Sequence, residues 1–324
     1  MPSMKMAIGV AVLCAIGCGG DEGGGGGADA PKAIDAPGTQ PDAFVPPADY
    51  TKLIGGSWSL AAGQLDTYRC VRLTIAADTY ITNIVAQAPP QSHHTVLSIS
   101  SSRTAGPDGE YACDVGELGM QMLYASGLGT SPLDFPAGVS VRIPAGTQIH
   151  LNLHLFNATD QPQSGESAIY VKSQPTATAT LAEMVFVGKF LFQIPAGGPA
   201  NTTAYNVTGQ ACQLNSASTV FAVWPHMHQS ATHQKLEFVR GGTPTSMHNL
   251  DFNFNEQTYY KKTPEIQLQS GDSLNITCTY VNKTTAAIRF GDSSNEEMCF
   301  TGLYRYPALN NGLFQCTDTG GVGF

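Results

Sequence analysis

From about residue 50 onward, short apolar or alternating segments are separated by clusters of turn residues. Alternation of apolar and polar residues predicts strands, because successive side chains on a strand point to opposite faces. No helical periodicity longer than about two turns is evident. The pattern therefore predicts an all-β fold. The predicted strands begin at or near Cys70, Thr79, Thr95, Val139, Ile149, Val185, Thr219, Lys235 and Leu274.

A polar, threonine-rich stretch at residues 173–180 interrupts this strand pattern before it resumes. The chain of 324 residues has the length of about two domains. We predict two tandem antiparallel β-sandwich domains of jelly-roll-like form, over residues 50–178 and 179–318, with the boundary near 175–183.

The charge of the chain is concentrated near its N-terminus. Net charge is −9, and residues 21–49 hold six acidic residues against one lysine. The remainder is close to neutral and carries no basic patch, so a nucleic-acid partner is not expected.

The N-terminus has the pattern of an export signal. Lys5 precedes an apolar run at 6–16, which is too short to span a bilayer and fits a signal peptide over residues 1–18. The sequence AIGC ending at Cys18 resembles a bacterial lipobox, and residues 19–49 have the composition of a flexible tether. We expect an exported lipoprotein, anchored to a membrane through Cys18 on the periplasmic or cell-surface side. The alternative is an ordinary cleaved signal with an incidental cysteine.

Six cysteines lie beyond the signal segment, and export to an oxidising compartment favours disulfides among them. Fifteen pairings are open from the sequence alone. These cysteines are Cys70, Cys113, Cys212, Cys278, Cys299 and Cys316.

Histidines in the first predicted domain have a pattern that suits a metal. His93 and His94 are adjacent, so both rings reach one metal only at a strand end or a bulge. His150 and His154 lie four residues apart and share a face of a strand, and either one would complete a three-histidine site. The alternative for each is a half-buried or surface histidine.

The second predicted domain offers a different donor set. His226 and His228 point to one face if both lie on a strand, and Met298 supplies a thioether elsewhere in the domain. Imidazole binds copper, zinc, iron and nickel, whereas a thioether adds a preference for Cu(I). Packing in the core is the alternative for the methionine.

Together these motifs resemble the type II copper, ascorbate-dependent monooxygenases, which include peptidylglycine α-hydroxylating monooxygenase and dopamine β-monooxygenase. The resemblance covers about residues 50–316 and includes the stretches at 270–284 and 290–300, the second containing EEMC. The matched ligand positions, in family order, are His93, His94, His154, His226, His228 and Met298.

The resemblance implies two coppers per chain with different tasks. The three histidines of the first domain would bind an electron-transfer copper. His226, His228 and Met298 would bind the catalytic copper, with O2 and ascorbate or a similar reductant as co-substrates. The implied disulfides are Cys70–Cys113, Cys212–Cys316 and Cys278–Cys299.

Two departures from the peptide-amidating members argue against a peptide substrate. Trp224 stands where those members have an arginine that grips the peptide carboxylate, and Gly302 stands where they have a tyrosine. His150, His233 and His248 match no family ligand and are predicted to be structural or surface residues.

The expected function is hydroxylation of a C–H bond in a small organic substrate. One alternative is a copper-binding lipoprotein that stores copper or hands it over without catalysis. A further alternative is a two-domain module that binds a carbohydrate or another partner and carries incidental histidines.

Overall fold

The computed structural model describes residues 44–64, 67–114, 117, 119, 121–127, 130–209, 211–254, 256–310 and 312–316. The predicted signal peptide, Cys18 and most of the tether lie outside the described residues. Within these ranges, no helix is long and apolar enough to cross a membrane. Residues Ala43–Phe324 form one compact unit.

The described residues form 23 strands and no helix, so the predicted all-β fold is confirmed. The first eleven strands are β1 Thr51–Leu60, β2 Thr67–Thr74, β3 Thr79–Gln87, β4 Ser92–Ile99, β5 Gly109–Ala112, β6 Gln121–Gly127, β7 Leu133–Asp134, β8 Val139–Ile143, β9 Gln148–Leu155, β10 Gln163–Gln174 and β11 Thr180–Leu181. The others are β12 Glu183–Lys189, β13 Gln193–Ile194, β14 Tyr205–Thr208, β15 Cys212–Gln213, β16 Ser218–His226, β17 Ala231–Arg240, β18 Thr243–Asp251, β19 Tyr260–Leu268, β20 Ser273–Tyr280, β21 Ile288–Arg289, β22 Cys299–Tyr306 and β23 Phe314–Cys316.

Four main sheets make two jelly-roll-like sandwiches. Sheet I has the order β1-β10-β3-β8-β11, with β7 beside β3, and sheet II has the order β5-β2-β9-β4-β6. Sheet III has the order β19-β16-β22-β12-β23, and sheet IV the order β14-β20-β17-β18, with β15 beside β20. We call β1–β11 the first repeat and β12–β23 the second repeat. The predicted boundary between residues 178 and 179 falls between β10 and β11 and stays a prediction.

The central strands of sheet III, β16, β22 and β12, are buried on both faces. Met184 and Phe186 of β12 belong to the core cluster of the first repeat, whereas Val185 and Val187 belong to that of the second. Side chains alternate between faces, so a strand covered on both sides is apolar throughout rather than alternating. The strand thus connects the two cores.

The two repeats have the same topology. The order β1-β10-β3-β8 in sheet I corresponds to β12-β22-β16-β19 in sheet III, and β2-β9-β4-β6 in sheet II corresponds to β14-β20-β17-β18 in sheet IV. Gly146 and Gly271 occupy matching turns with positive φ, and each donates its backbone N–H over 2.8 Å to the equivalent carbonyl. These matches allow positions in one repeat to be compared directly with positions in the other.

A matching asparagine turn closes each repeat. The Asn157 amide donates to two carbonyls at 2.8 Å, and its oxygen accepts from the N–H and hydroxyl of Thr159. Asn282 makes the corresponding four bonds, with Thr284 as the donor to its oxygen.

All three disulfides implied by the family resemblance are present, with Cα–Cα distances of 5.8, 5.6 and 5.8 Å. The predicted pairing is confirmed. The bond from Cys278 to Cys299 joins sheet IV to sheet III and fixes the residue that follows Met298. The other two bonds are Cys70–Cys113 and Cys212–Cys316.

Candidate metal centres

The first candidate centre is formed by the three histidines His93, His94 and His154. Each offers a ring nitrogen, and these nitrogens all lie within 4.8 Å of one another. The register between β4 and β9 shifts between Ser92 and His94, and this bulge lets adjacent histidines approach the same point. The sequence predicted such a bulge or strand end, and the third histidine comes from the neighbouring strand.

The environment of this centre favours neutral imidazoles. Burial, and then the neighbouring imidazoles, lower the pKa of His94 well below its usual value. The ring of Tyr68 stacks on that of His154 with centroids 4.5 Å apart. Neutral imidazoles keep a lone pair for a metal, so three nitrogen donors fit copper, as the family implies.

His226 and His228 lie at the end of β16. The prediction placed both on a strand, but only His226 belongs to it. β16 ends at His226, and a turn begins after His228. Met227 between them is fully buried in the core of the second repeat. The two rings are 5.3 Å apart and nearly perpendicular. Burial lowers the pKa of His226 to about 3 and that of His228 to about 4, so both are neutral near pH 7.

Met298 borders the same cavity as these two histidines. Tyr280 donates its hydroxyl to the Met298 carbonyl at 2.7 Å. The fully buried Glu297 accepts hydrogen bonds from the N–H groups of His228 at 2.9 Å and Ser230 at 2.6 Å. Hydrogen bonds thus connect the segment that carries Met298 to the turn that carries His228. This arrangement holds a thioether donor near two imidazoles.

In both His226 and His228, one ring nitrogen has a hydrogen-bond partner and the other is available to bind a metal. The Nδ1 atom of His226 lies 2.9 Å from Oε1 of Gln257, and Nδ1 of His228 lies 3.1 Å from the carbonyl oxygen of Glu296. Such outer partners are typical of metal-binding histidines, because they fix the tautomer and the ring orientation. The Nε2 atoms would therefore be the ligands. No sequence pattern pointed to Gln257, which is distant along the chain.

The two centres lie against each other across the interface of the repeats. The rings of His94 and His226 are 6.3 Å apart, measured between centroids. Both centres open onto one cavity of about 160 Å³. The described residues that line it are Tyr68, His94, Val96, Met122, Asn152, Phe186, Phe190, Trp224, His226, His228, Phe290, Asp292, Met298, Phe300, Leu313 and Phe314.

The cavity is predominantly aromatic. Among the described lining residues, Asp292 is the only Asp, Glu, Lys or Arg, and burial raises the pKa of its carboxyl. Trp224 stacks on His226 with centroids 4.9 Å apart. The other aromatic residues come from strands and loops that only the fold brings together.

The remaining three histidines lie outside both centres, and each is buried or contacts a neighbouring polar or aromatic side chain. His150 is buried, and its Nε2 is 2.9 Å from the Tyr111 hydroxyl. His233 contacts Asp251 at 2.8 Å on the surface side of sheet IV, and His248 is buried beside the Tyr260 ring. None of these three contributes to the two centres.

Residues 183–320 match the family model described as copper type II ascorbate-dependent monooxygenase, C-terminal domain. The second repeat therefore matches the C-terminal domain of this family, in agreement with the resemblance of the sequence. The match covers β12 to β23 and includes His226, His228 and Met298.

Three solved structures show distant likenesses to this chain. The major capsid protein P2 of bacteriophage PM2 is 11% identical with a TM-score of 0.35, covering 80% of this chain and 100% of that one. A triple jelly-roll protein of an archaeal virus is 10% identical with a TM-score of 0.23, covering 78% and 58%. A structure of the infectious bursal disease virus Gx strain is 9% identical with a TM-score of 0.19, covering 83% and 76%. Similarities this low carry no argument about fold or function.

Proposed function

We propose that this protein is a copper-dependent monooxygenase that hydroxylates a C–H bond of a small apolar molecule. The observation that carries the proposal is that two donor sets of different chemistry, three imidazoles and two imidazoles with a thioether, both border one aromatic cavity. The family match over residues 183–320 supports copper and ascorbate as the redox partners.

The donor sets suit copper in different ways. Bound copper supplies one-electron redox chemistry at each centre and, in its reduced form, an affinity for O2. His93, His94 and His154 would hold the ion that delivers an electron. His226, His228 and Met298 would hold the ion at the cavity, because a thioether favours Cu(I).

The overall reaction balances with an external reductant. One oxygen atom of O2 enters the substrate C–H bond as a hydroxyl group, and the other leaves as water. Two electrons come from ascorbate or a similar reductant, and two protons from solvent. The residues contribute by holding the two centres, excluding water through the aromatic lining and orienting the substrate.

The lining supports an uncharged, apolar substrate over a carboxylate. No lysine or arginine is among the described residues around the cavity, and a carboxylate would enter without a partner. Phe186, Phe190 and Phe300 offer ring surfaces that favour hydrocarbon or aromatic groups. This agrees with the departures from the peptide-amidating members at Trp224 and Gly302.

Oxygen uptake by the copper-loaded protein tests the proposal. With ascorbate present, a panel of small apolar compounds should be compared with peptides that end in a free carboxylate. We expect O2 consumption coupled to a product heavier by one oxygen atom, with the apolar compounds only. Tight copper binding without coupled turnover on any compound would instead support copper storage, and absence of copper would support a partner-binding module.

We also propose that the protein is exported and anchored through a lipid on Cys18, on the sequence pattern described above. Cys18→Ser should release it from the membrane fraction into the soluble exported fraction. A wild-type protein that is already soluble and carries no lipid would contradict this.

A further inference from the structure

One loop of the second repeat contacts both candidate centres. The loop joins β18 to β19, and its described residues are 252–254 and 256–259. We call it the bridging loop. The Phe254 ring lies 4.3 Å from the His93 ring and 6.4 Å from the His228 ring, measured between centroids. The loop thus places an aromatic ring beside ligands that belong to different repeats.

Gln257 of this loop fixes the hydrogen-bonding state of His226. Its side chain is 1% exposed, and its Nε2 atom donates to the Phe254 carbonyl at 3.4 Å. Oε1 therefore faces His226 Nδ1 at 2.9 Å, and an amide oxygen only accepts. The proton of the neutral ring must lie on Nδ1, which leaves Nε2 as the atom with a lone pair.

The backbone of Gln257 is attached to the first repeat. Its carbonyl accepts from the N–H of Gly127 at 3.0 Å and from the Thr130 hydroxyl at 2.9 Å. Gly127 is the cross-strand partner of His94. A Cβ atom at position 127 would lie 2.8 Å from that of Gln257, so the close approach requires glycine there.

We infer that Gln257 and Phe254 are positioning residues, which set the ligating tautomer of His226 and hold the two centres at a fixed separation. Gln257 connects one histidine of the second centre to the strand pair that carries His94. Phe254 lies beside one ligand of each centre, so a shift of one repeat over the other would displace its ring. The part about separation rests on the proposed copper occupancy, whereas the part about the tautomer does not.

The tautomer is tested without metal. Nitrogen-15 NMR of the histidine side chains in the copper-free protein should show His226 protonated on Nδ1. Gln257→Leu should shift this ring toward the Nε2-protonated form, and Gln257→Glu, which keeps an acceptor, should preserve the Nδ1 proton. Gln234→Leu is the matched control, because Gln234 is also fully buried in the second repeat but bonds to the Phe300 carbonyl rather than to a histidine.

Two results would overturn the assignment of Gln257. One is a wild-type His226 protonated on Nε2, and the other is an unchanged tautomer in Gln257→Leu. A thermal melt of each variant verifies that it is folded. If Gln257→Leu does not fold, the wild-type spectrum and Gln257→Glu still decide the matter.

The separation is tested in the copper-loaded protein. Removing an outer partner of a metal-binding histidine weakens metal binding by about 10–100-fold, so Gln257→Leu should do this at the second centre alone. Anomalous X-ray scattering at the copper edge, in crystals of the copper-loaded protein, measures the distance between the two ions. Phe254→Leu should change that distance while both ions stay bound. Phe252→Leu is the control, because Phe252 packs on the core of the second repeat.

The outcomes separate this inference from the proposed function. A wild-type protein that binds no copper contradicts the proposed function and the fixed separation, whereas the NMR result still decides the role of Gln257. Two bound coppers at an unchanged distance in Phe254→Leu contradict the fixed separation alone.

Discussion

The two repeats share a scaffold but carry their candidate ligands on different sheets of it. In the first repeat, His94 and His154 lie on sheet II. The matching strands of the second repeat belong to sheet IV, where His233 and Thr279 occupy the corresponding paired positions. A register shift like the one beside His94 occurs beside His233. The residue paired with His233 on the neighbouring strand is Thr279, however, and not a second histidine.

The ligands of the second repeat lie on or next to sheet III, which corresponds to sheet I: His226 ends β16, His228 follows that strand and Met298 precedes β22. Matching backbone bonds, from Ser92 to Pro89 and from Ala231 to His228, show that His228 corresponds to a proline in the first repeat. Sheets II and III contact each other, because β6 packs on β12. The centres therefore meet because each repeat carries its ligands on the sheet that faces the other repeat.

The comparison shows that the fold alone does not determine where a metal site forms. The same strand order and the same bulge can hold a three-histidine cluster in one repeat and a surface His233–Asp251 pair in the other. The side chains on the interface sheets determine the chemistry, and the stacking of the repeats determines the distance.

The largest expected effect comes from removing ligands. His94→Ala and Met298→Ala should each lower hydroxylation by about 100-fold or more, since even outer-partner changes cost about 10–100-fold. His233→Ala is the matched control, because it changes the repeat-equivalent of His94 but touches neither centre. Product formation with ascorbate and O2 measures this. A similar loss in His233→Ala would break the distinction between the repeats.

Disulfide removal should affect the centres unequally. Cys278→Ala with Cys299→Ala should weaken copper binding at the second centre, because Cys299 fixes the position of Met298. Cys70→Ala with Cys113→Ala should reduce stability by about 4 kcal/mol for a 43-residue separation. Removal of the Cys70–Cys113 disulfide should leave copper binding at the second centre unchanged. Thermal melts and competition with a copper chelator distinguish the two, and equal loss of copper in both pairs would contradict the expectation.

The asparagine turns should give the smallest and most closely matched effects. Asn157→Ala and Asn282→Ala each remove four hydrogen bonds of the same geometry, at a cost of about 1–3 kcal/mol for buried groups left unpaired. Asn157→Ala should also weaken metal binding at the first centre, because Asn157 closely follows β9, the strand that carries His154. Denaturant unfolding and copper titration test this pair. Costs that differ by more than about 3 kcal/mol would show that the repeats do not use these turns alike.

Alternation of apolar and polar residues predicted much of the scaffold. The segments beginning at Thr79 and Val139 are β3 and β8, with those residues as their first positions. The strand Cys299–Tyr306 was not predicted, because both of its faces are buried and its sequence does not alternate. Periodicity detects strands with one covered face better than strands between two cores.

The candidate ligands were also predictable in part. Adjacent histidines can share a metal only at a strand end or a bulge. This local rule was sufficient to predict the backbone geometry at His93 and His94. Gln257 and Phe254 were not predictable, because their roles arise from a loop that reaches across the interface. No spacing in the sequence records such a contact.

Carbon monoxide binding to the reduced, copper-loaded protein tests most directly whether the repeats hold two centres of different chemistry. Infrared spectra of His94→Ala should retain the carbon monoxide band of the centre at His226, His228 and Met298. Met298→Ala should lose or shift that band, because the other methionine among the described residues of the cavity, Met122, lies on sheet II of the first repeat. Loss of the band in His94→Ala alone, with Met298→Ala unchanged, would contradict the assignment of the two centres.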